Sequence, residues 1–383
     1  MRPGARETPA IAVLLWSGLY GGAETWSLAL TRAFRKEGLS AGLLFVGRHG
    51  PIVDAARGEG IPCECLGCSR GAEVLLRPRE LARAATRIGR DAVIAPSAGY
   101  LSAALRLGGY SGRIVAVEHG SLLQHRRLPW PVRVLRMADL WSGLWAVDAQ
   151  VTPSDFMMRE LAAFPHKEPM VRIHHGLEFE QHQPRDPAES TDRGMVVGFA
   201  GRLIQGKGIG TLLHAVAELA GDMVKLEIAG DGPERKSLEA LAAKLGIADR
   251  VRFCGWIHDM SAFWQSCDVA VVPSEEWIES FGMVVIEAMA AGLPILATRS
   301  GALPELVVDG ETGALFRPGR SDELVALLSA YAGDFELRRR HGAASLERCH
   351  ALFSITECAR RYRRLITDLI GGNGVGELGW SRT

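Results

Sequence analysis

The chain has 383 residues, 47% of them hydrophobic and 23% charged, with 44 basic side chains against 44 acidic ones. At roughly 150 residues per domain, this length predicts two to three domains with cores that need no disulfide or metal staple. A near-average composition excludes a wholly disordered, collagen-like or coiled-coil chain, and zero net charge argues against a nucleic-acid-coating protein.

The first apolar run, Ile11 to Trp16, is too short for a signal core or a membrane span, and glycines follow it. Seven cysteines, an odd number spread along the chain, fit a reducing cytoplasm. Cys63, Cys65 and Cys68 are spaced as Cys-x-Cys-x2-Cys, but no second Cys or His pair completes a finger, so reduced thiols at a strand end are expected. Ile11–Trp16, Ala41–Val46, Ala92–Pro96, Ile114–Glu118 and Ala149–Thr152 read as buried strands, with helices such as Thr25–Glu37 and Pro78–Gly89 between them. That alternation predicts a parallel sheet covered on both faces. In Pro129–Trp145, the residues Trp130, Val134, Leu135, Ala138, Trp141 and Trp145 recur at helical spacing among arginines. Such a stripe usually buries inward, so a core-facing helix is expected, with a membrane-facing one as the alternative.

After His182 the chain becomes polar and proline-bearing, the composition of an interdomain linker. The alternation then restarts, with strands at Met195–Ala200, Lys225–Ala229, Val251–Cys254, Val269–Pro273, Pro294–Ala297 and Ala314–Phe316. Helices follow at Gly210–Ala220, Pro233–Leu245, Met283–Ala291 and Ser321–Tyr331, and Phe353–Ile370 reads as one more. The expected fold is α/β: two Rossmann-like, doubly wound parallel-sheet domains facing a central cleft. The expected parts are an N-terminal domain 1–184, a linker 185–193, a second domain 194–352, a helix 353–370 packing back on the first domain, and a frayed tail 371–383.

Charge is uneven: Arg70 to Arg136 holds 12 basic and 4 acidic residues, hence +8, leaving −8 for the rest. A basic half suits a phosphate-bearing acceptor or an anionic membrane surface, although solvated helix faces would read the same way.

Three loops carry candidate chemistry. Gly21-Gly22 lies between the first strand and a helix expected to begin near Thr25, where backbone can approach a ligand and a helix N-terminus favours an anion. Gly201-Arg-Leu-Ile-Gln-Gly-Lys-Gly208 ends the first strand of the second half. Arg202 offers a fork of donors and Lys207 a point charge, which together can neutralise a diphosphate. The string departs from the P-loop of nucleotide hydrolases, since Gly208 stands where a Ser or Thr would hold Mg²⁺. Glu279-Ser-Phe-Gly-Met-Val-Val-Ile-Glu287 opens an apolar helix that Glu287 interrupts. That carboxylate is either on a thin exposed stripe or buried, and if buried it needs partners such as ligand hydroxyls.

The run Glu-x-Phe-Gly-x4-Glu-Ala-Met-Ala-x-Gly-x-Pro, from Glu279 to Pro294, resembles the signature of the retaining glycosyltransferases of family 4, which have the GT-B fold. Gly-Gly-Ala-Glu (21–24), Val-Glu-His-Gly around His119, Val-Thr-Pro-Ser (151–154), Ile-His-His-Gly-Leu-Glu (173–178) and Gly-Arg-Leu (201–203) with Lys207-Gly208 are similar to that family's other motifs, in its order. The chain departs from it in His175-Gly-Leu-Glu178, where Asn-Gly-Val-Asp is usual, and in Ser280, where Gly or Pro is commoner.

The resemblance implies a nucleotide-diphosphate-sugar donor, UDP- or GDP-linked, with Arg202 and Lys207 on the diphosphate. Glu287 would sit on the ribose, Glu279 on the sugar, and the amides of Phe281, Gly282 and Met283 on the sugar or β-phosphate. Gly21 and Gly22 would form the N-terminal glycine loop beside the donor, and His119 would approach the sugar from the opposite domain. It further implies a hydroxyl acceptor, lipid-linked or oligosaccharide, in cell-surface polysaccharide or glycolipid synthesis, with the enzyme cytoplasmic or peripheral at the inner membrane face. No cofactor or metal is expected, and the chain contains no Asp-x-Asp. A sugar-nucleotide epimerase or phosphorylase on the same scaffold, or a silent nucleotide-sugar-binding subunit, are the rival readings.

Overall fold

The computed structural model describes residues 8–19, 21–69, 73–121, 130–163, 169–181, 194–257, 259–276 and 278–373. The expected linker 185–193 and the tail beyond 373 lie outside them. The chain divides into two compact units, Met1–Gly176 with Ile355–Thr383, and Leu177–Ser354.

Unit 1 carries β1 (Ala10–Leu15), β2 (Ser40–Phe45), β3 (Cys63–Cys65), β4 (Ala92–Ala95), β5 (Arg113–Val117), β6 (Ala149–Thr152) and β7 (Met170–Arg172). They form a parallel sheet in the order β3-β2-β1-β4-β5-β6-β7, in which Val13 of β1 is flanked by Leu43 and Ile94. Around it lie α1 (Gly22–Lys36), α2 (Pro51–Gly58), α3 (Glu73–Leu76), α4 (Pro78–Ile88), α5 (Tyr100–Leu107), α6 (Trp130–Leu144) and α7 (Asp155–Ala162). Unit 2 carries β8 (Met195–Ala200), β9 (Val224–Ala229), β10 (Val251–Gly255), β11 (Val269–Val272), β12 (Ile295–Thr298) and β13 (Gly313–Phe316), in the order β10-β9-β8-β11-β12-β13. Its helices are α8 (Ile209–Glu218), α9 (Arg235–Lys244), α10 (Met260–Ser266), α11 (Met283–Ala290), α12 (Leu303–Leu306), α13 (Ser321–Gly333) and α14 (Phe335–Leu352). The last helix, α15 (Ile355–Gly371), belongs to unit 1, where it packs on α1 through its buried face of Cys358, Tyr362 and Ile366.

The strands are continuous apolar runs because each sheet is covered on both sides. On β8, Val196 joins one core with Trp264 and Ile286, while Val197 joins the other with Leu212 and Leu226. In both sheets the order reverses beside the first strand, at β1/β4 and at β8/β11. Such a reversal opens a crevice at the carboxyl ends of the strands, because the flanking loops turn to opposite faces.

Three expectations need correction. Helix α1 begins at Gly22 with Gly21 as its extended N-cap, so the glycine pair forms the helix start and not a loop ending at Thr25. The stripe of α6 points outward: Trp130, Val134, Leu135, Trp141 and Trp145 are each more than half exposed. Its inner side is instead held by Asp139 Oδ1, which accepts from the Tyr100 amide at 2.9 Å, and by Gly143, where a Cβ would lie 1.5 Å from the Ala98 carbonyl. Strand β7 and helix α14 were absent from the predicted elements: β7 has three residues, and α14 buries polar His341 and Ser345 with Cys349. Separately, part of the basic stretch is paired locally. Arg106 and Arg113 both pair with Asp148, Arg87 with Glu64, and Arg77 with Glu80.

Cys63, Cys65 and Cys68 are free thiols at and just beyond edge strand β3. Among the described residues no group of three His, Cys, Asp or Glu side chains is placed to hold a metal. No described helix is long and apolar enough to cross a membrane.

Candidate active site

Seven of the residues singled out by sequence fall in unit 2, around the β8/β11 reversal. Arg202 and Lys207 lie on the loop after β8, and Glu279 on the loop after β11. Lys207 Nζ donates to Glu279 Oε1 at 2.5 Å, with only 14% and 11% of the two side chains exposed. The same carboxylate oxygen accepts from Ser274 Oγ at 2.9 Å. Ser274 is fixed in turn, because Thr298 Oγ1 of β12 donates to its carbonyl at 2.6 Å.

The two loops also touch through backbone. Glu275 N donates to Gly206 O at 2.8 Å, and the Thr211 hydroxyl of α8 bonds the Glu275 carboxylate. Gly208, the N-cap of α8, has φ +71°, and a Cβ there would sit 1.8 Å from the Pro273 carbonyl. Only glycine permits both the left-handed backbone and that approach. Glu279 is therefore positioned by Lys207, by Ser274 and by its own carbonyl, which accepts from Ala302 N at 2.9 Å.

Arg202 is exposed and makes no ion pair among the described residues, so its guanidinium can meet an anion in solvent. Phe281 serves the core, with its ring edge-on to Phe353 at 5.8 Å. Gly282 caps α11 with φ +104°, so the amides of 281–283 stand at a helix N-terminus, where N–H groups have no partner within the helix. Met283 and Glu287 are both partly exposed while Val285, Ile286, Ala288 and Met289 are buried. Glu287 thus lies on a narrow open stripe, one turn beyond the cap. Exposed and enclosed cations, a carboxylate held in place and a helix N-terminus together can bind an anion beside a hydroxyl-bearing group.

Gly21, Gly22 and His119 belong to unit 1. One turn after Gly22, the buried Trp26 packs against the His119 ring at 5.4 Å and against His175 at 4.4 Å. The His119 and His175 ring centroids are 5.2 Å apart, and the Tyr362 ring of α15 lies 6.0 Å from that of Trp26. Desolvation pushes the His119 imidazole down to about 4, so it is neutral at pH 7. Burial likewise holds His175 well below the usual range. The preceding Glu118 is buried, accepts from Ala98 N at 2.8 Å, and is pushed up to about 7 by that burial.

Sequence reasoning missed Ser274, Thr298, Trp26 and Glu118. Ser274 and Thr298 act through Glu279 across the sheet reversal, and no local pattern marks them. Glu118 carried the one available signal, a carboxylate closing an apolar strand beside His119.

Comparisons with known proteins come from both halves of the chain. Residues 181–348 match the family described as glycosyl transferases group 1, and residues 20–181 match Glycosyltransferase Family 4. The lipopolysaccharide core biosynthesis glycosyltransferase LpsE of Rhizobium meliloti is 36% identical over 45% of this chain and 50% of its own length. The MMP alpha-(1->4)-mannosyltransferase of Mycolicibacterium hassiacum is also 36% identical, over 47% of this chain and 43% of its own. The chain thus spans about half the length of the curated relatives it matches. Among solved structures, Anabaena HepE in complex with UDP and glucose superposes with a TM-score of 0.81 at 21% identity, over 94% of this chain and 99% of that one. That likeness shows the GT-B fold.

Proposed function

The chain belongs to the glycosyltransferases of group 1 and family 4, and from that premise we propose that it transfers a hexose from a nucleoside-diphosphate donor to a hydroxyl acceptor, with retention and without a metal. The observation that carries this reading is the Lys207–Glu279 pair at the β8/β11 reversal, with Arg202 on the same loop. An anion-binding crevice built from cations and helix amides suits a diphosphate. A carboxylate already held by Lys207 and Ser274 suits a sugar hydroxyl.

In this reaction the acceptor oxygen bonds to the anomeric carbon as the bond from that carbon to the β-phosphate oxygen breaks. Attack on the face that the phosphate leaves preserves the configuration, and the acceptor's proton passes to the departing phosphate. Negative charge grows on the phosphate along this path. Arg202, Lys207 and the amides at the start of α11 are preorganised to stabilise it. Glu287 takes the ribose and Glu279 the sugar. His119, neutral in its aromatic surround, serves as a hydrogen-bond partner for the sugar rather than as a charge.

Two of the similar proteins support the setting: LpsE is named for lipopolysaccharide core biosynthesis, and HepE is described with UDP and glucose. We therefore place the activity in cell-surface polysaccharide or glycolipid synthesis, on a lipid-linked or oligosaccharide acceptor, with UDP or GDP released.

The test is a panel of nucleotide sugars, with and without acceptor glycolipids, in excess chelator. Acceptor-dependent release of nucleoside diphosphate with an α-linked product from an α-linked donor is the expected result. Sugar-nucleotide isomers formed without acceptor would point to an epimerase, phosphate-dependent release to a phosphorylase, and binding without turnover to a silent subunit.

A further inference from the structure

His175 stands where the family usually has Asn, and it lies in unit 1 a few residues beyond β7. The backbone leading to it is fixed to the end of β6: Ile173 N donates to Thr152 O at 3.0 Å, and the His174 ring bonds the Pro153 carbonyl at 2.9 Å. The imidazole presented by this anchoring is buried. Its centroid is 4.4 Å from that of Trp26 and 5.2 Å from that of His119, to which it is inclined by 30°. Trp26 meets His119 at 71°, edge-on. The partly exposed His119 is therefore bounded by two rings in different planes. One neighbouring ring leaves an imidazole free to swing about its outer torsion, whereas two at unlike inclinations define its plane. An asparagine at 175 would offer no second ring.

Trp26 is itself held from behind. The Tyr362 ring and the buried Cys358 thiol, both on the inner face of α15, lie against its indole. The charged groups on the surrounding elements have partners of their own: Glu118 accepts from Ala98 N at 2.8 Å, Glu24 from the Ser17 hydroxyl at 3.3 Å, Arg172 pairs with Asp155, and Arg361 with Glu357 at 3.5 Å. Shape, more than charge, thus acts on the His119 ring.

We propose that His175 is a positioning residue for His119, its ring fixing the plane in which His119 presents a nitrogen to the sugar. This inference rests on the transferase reading, in which His119 bonds that sugar. Burial holds His175 well below its ordinary range, so at neutral pH it places no positive charge beside its neighbour. A hydrogen bond weakens steeply as its angle departs from linear. A small rotation of His119 would therefore cost turnover while leaving the diphosphate contacts of unit 2 intact.

The experiment compares His175→Asn, His175→Phe and His119→Ala by steady-state kinetics, by calorimetry with nucleoside diphosphate and by NMR titration of the imidazoles, at a temperature where each is folded. His175→Asn should lower kcat about tenfold and leave nucleoside diphosphate affinity within about threefold. It should also raise the His119 titration from about 4 towards 6.5, because removing the ring admits water. His175→Phe keeps a ring without the nitrogens, and should retain the titration near 4 and roughly half or more of the parental kcat. Parental kcat and an unmoved titration in His175→Asn would overturn the proposal. So would a His175→Phe protein as impaired as His175→Asn, since a nitrogen and not the ring would then be what matters. Undiminished turnover in His119→Ala would overturn the role given to His119 in the transferase reading, while the titration of His175→Asn still decides whether His175 sets its ring.

Discussion

The two units wind their sheets in the same order from the centre outward, yet the crevices at their reversals are furnished oppositely. Beside β8/β11 stand an exposed arginine, an enclosed lysine and the open N-terminus of α11. Around β1/β4 stand Glu24, whose carboxyl is raised by burial, Glu118, pushed up to about 7, and the neutral imidazole of His119. One architecture thus yields a crevice lined by cations and another whose carboxyls are raised and whose imidazole is lowered by burial. The difference arises from which side chains the strand-end loops supply, since the backbone frame is shared. A diphosphate leaving group calls for fixed positive charge, whereas a neutral hydroxyl acceptor calls for uncharged hydrogen-bonding groups in a dry setting.

Removing a cation should collapse the contrast most. Lys207→Ala should cut turnover about a hundredfold, the usual cost of losing a preorganised donor. It should also cost about 3 kcal/mol of stability, because it strands a buried carboxylate. Arg202→Ala, at an exposed position, should cut turnover about tenfold or more with no change in melting temperature. Steady-state kinetics and calorimetric melting of both variants separate the two roles.

The buried carboxylate of unit 1 is tested by pH. A folded value raised from 4.5 to about 7 means that the native state holds a proton the unfolded chain releases. This group's contribution is therefore full below pH 4.5 and is lost as pH rises through about 7. Glu118→Gln keeps an acceptor for Ala98 N without the charge. It should be more stable than the parent at pH 8, by roughly 3 kcal/mol at most, and not at pH 5. Denaturant titrations at the two pH values check this.

The histidine has the opposite sign. With a folded value of about 4 against 6.5, its contribution is full above pH 6.5 and is lost as pH falls towards 4. Its imidazole resonances should titrate near 4, not near 6.5. His119→Ala should lower turnover about tenfold, but should shift nucleoside diphosphate affinity by no more than about threefold, roughly 0.6 kcal/mol.

These contrasts were unevenly legible in the sequence. The central strands of both sheets could be placed to within a residue or two, because doubly buried parallel strands are bare apolar runs such as Val269–Val272, whereas the three-residue edge strand β7 carries too short a run to stand out. The α6 stripe shows what periodicity does and does not carry. The spacing of Trp130, Trp141 and Trp145 identifies a shared face, but whether that face turns inward depends on partners distant in sequence, here Asp139 with Tyr100 and Gly143 with Ala98. In the same way, Lys207 and Glu279 could be named from their motifs, while the bond joining them spans 72 residues and follows from the sheet order. Ser274 was invisible, since a serine after a strand carries no sign that a carboxylate will lean on it. The glycine pair at 21–22 was read as a loop because the chemistry of a helix start and of a tight turn are alike there.

The claim that unit 2 holds a diphosphate through its cations is tested most directly by calorimetry in excess chelator, comparing a nucleoside with its diphosphate on the parent and on Arg202→Ala/Lys207→Ala. The base is to be the one that the donor panel selects. The account predicts that the parent prefers the diphosphate by about a hundredfold or more and that the double variant loses most of that preference. Affinity for the nucleoside alone should stay unchanged. An undiminished preference for the diphosphate in the double variant would contradict it.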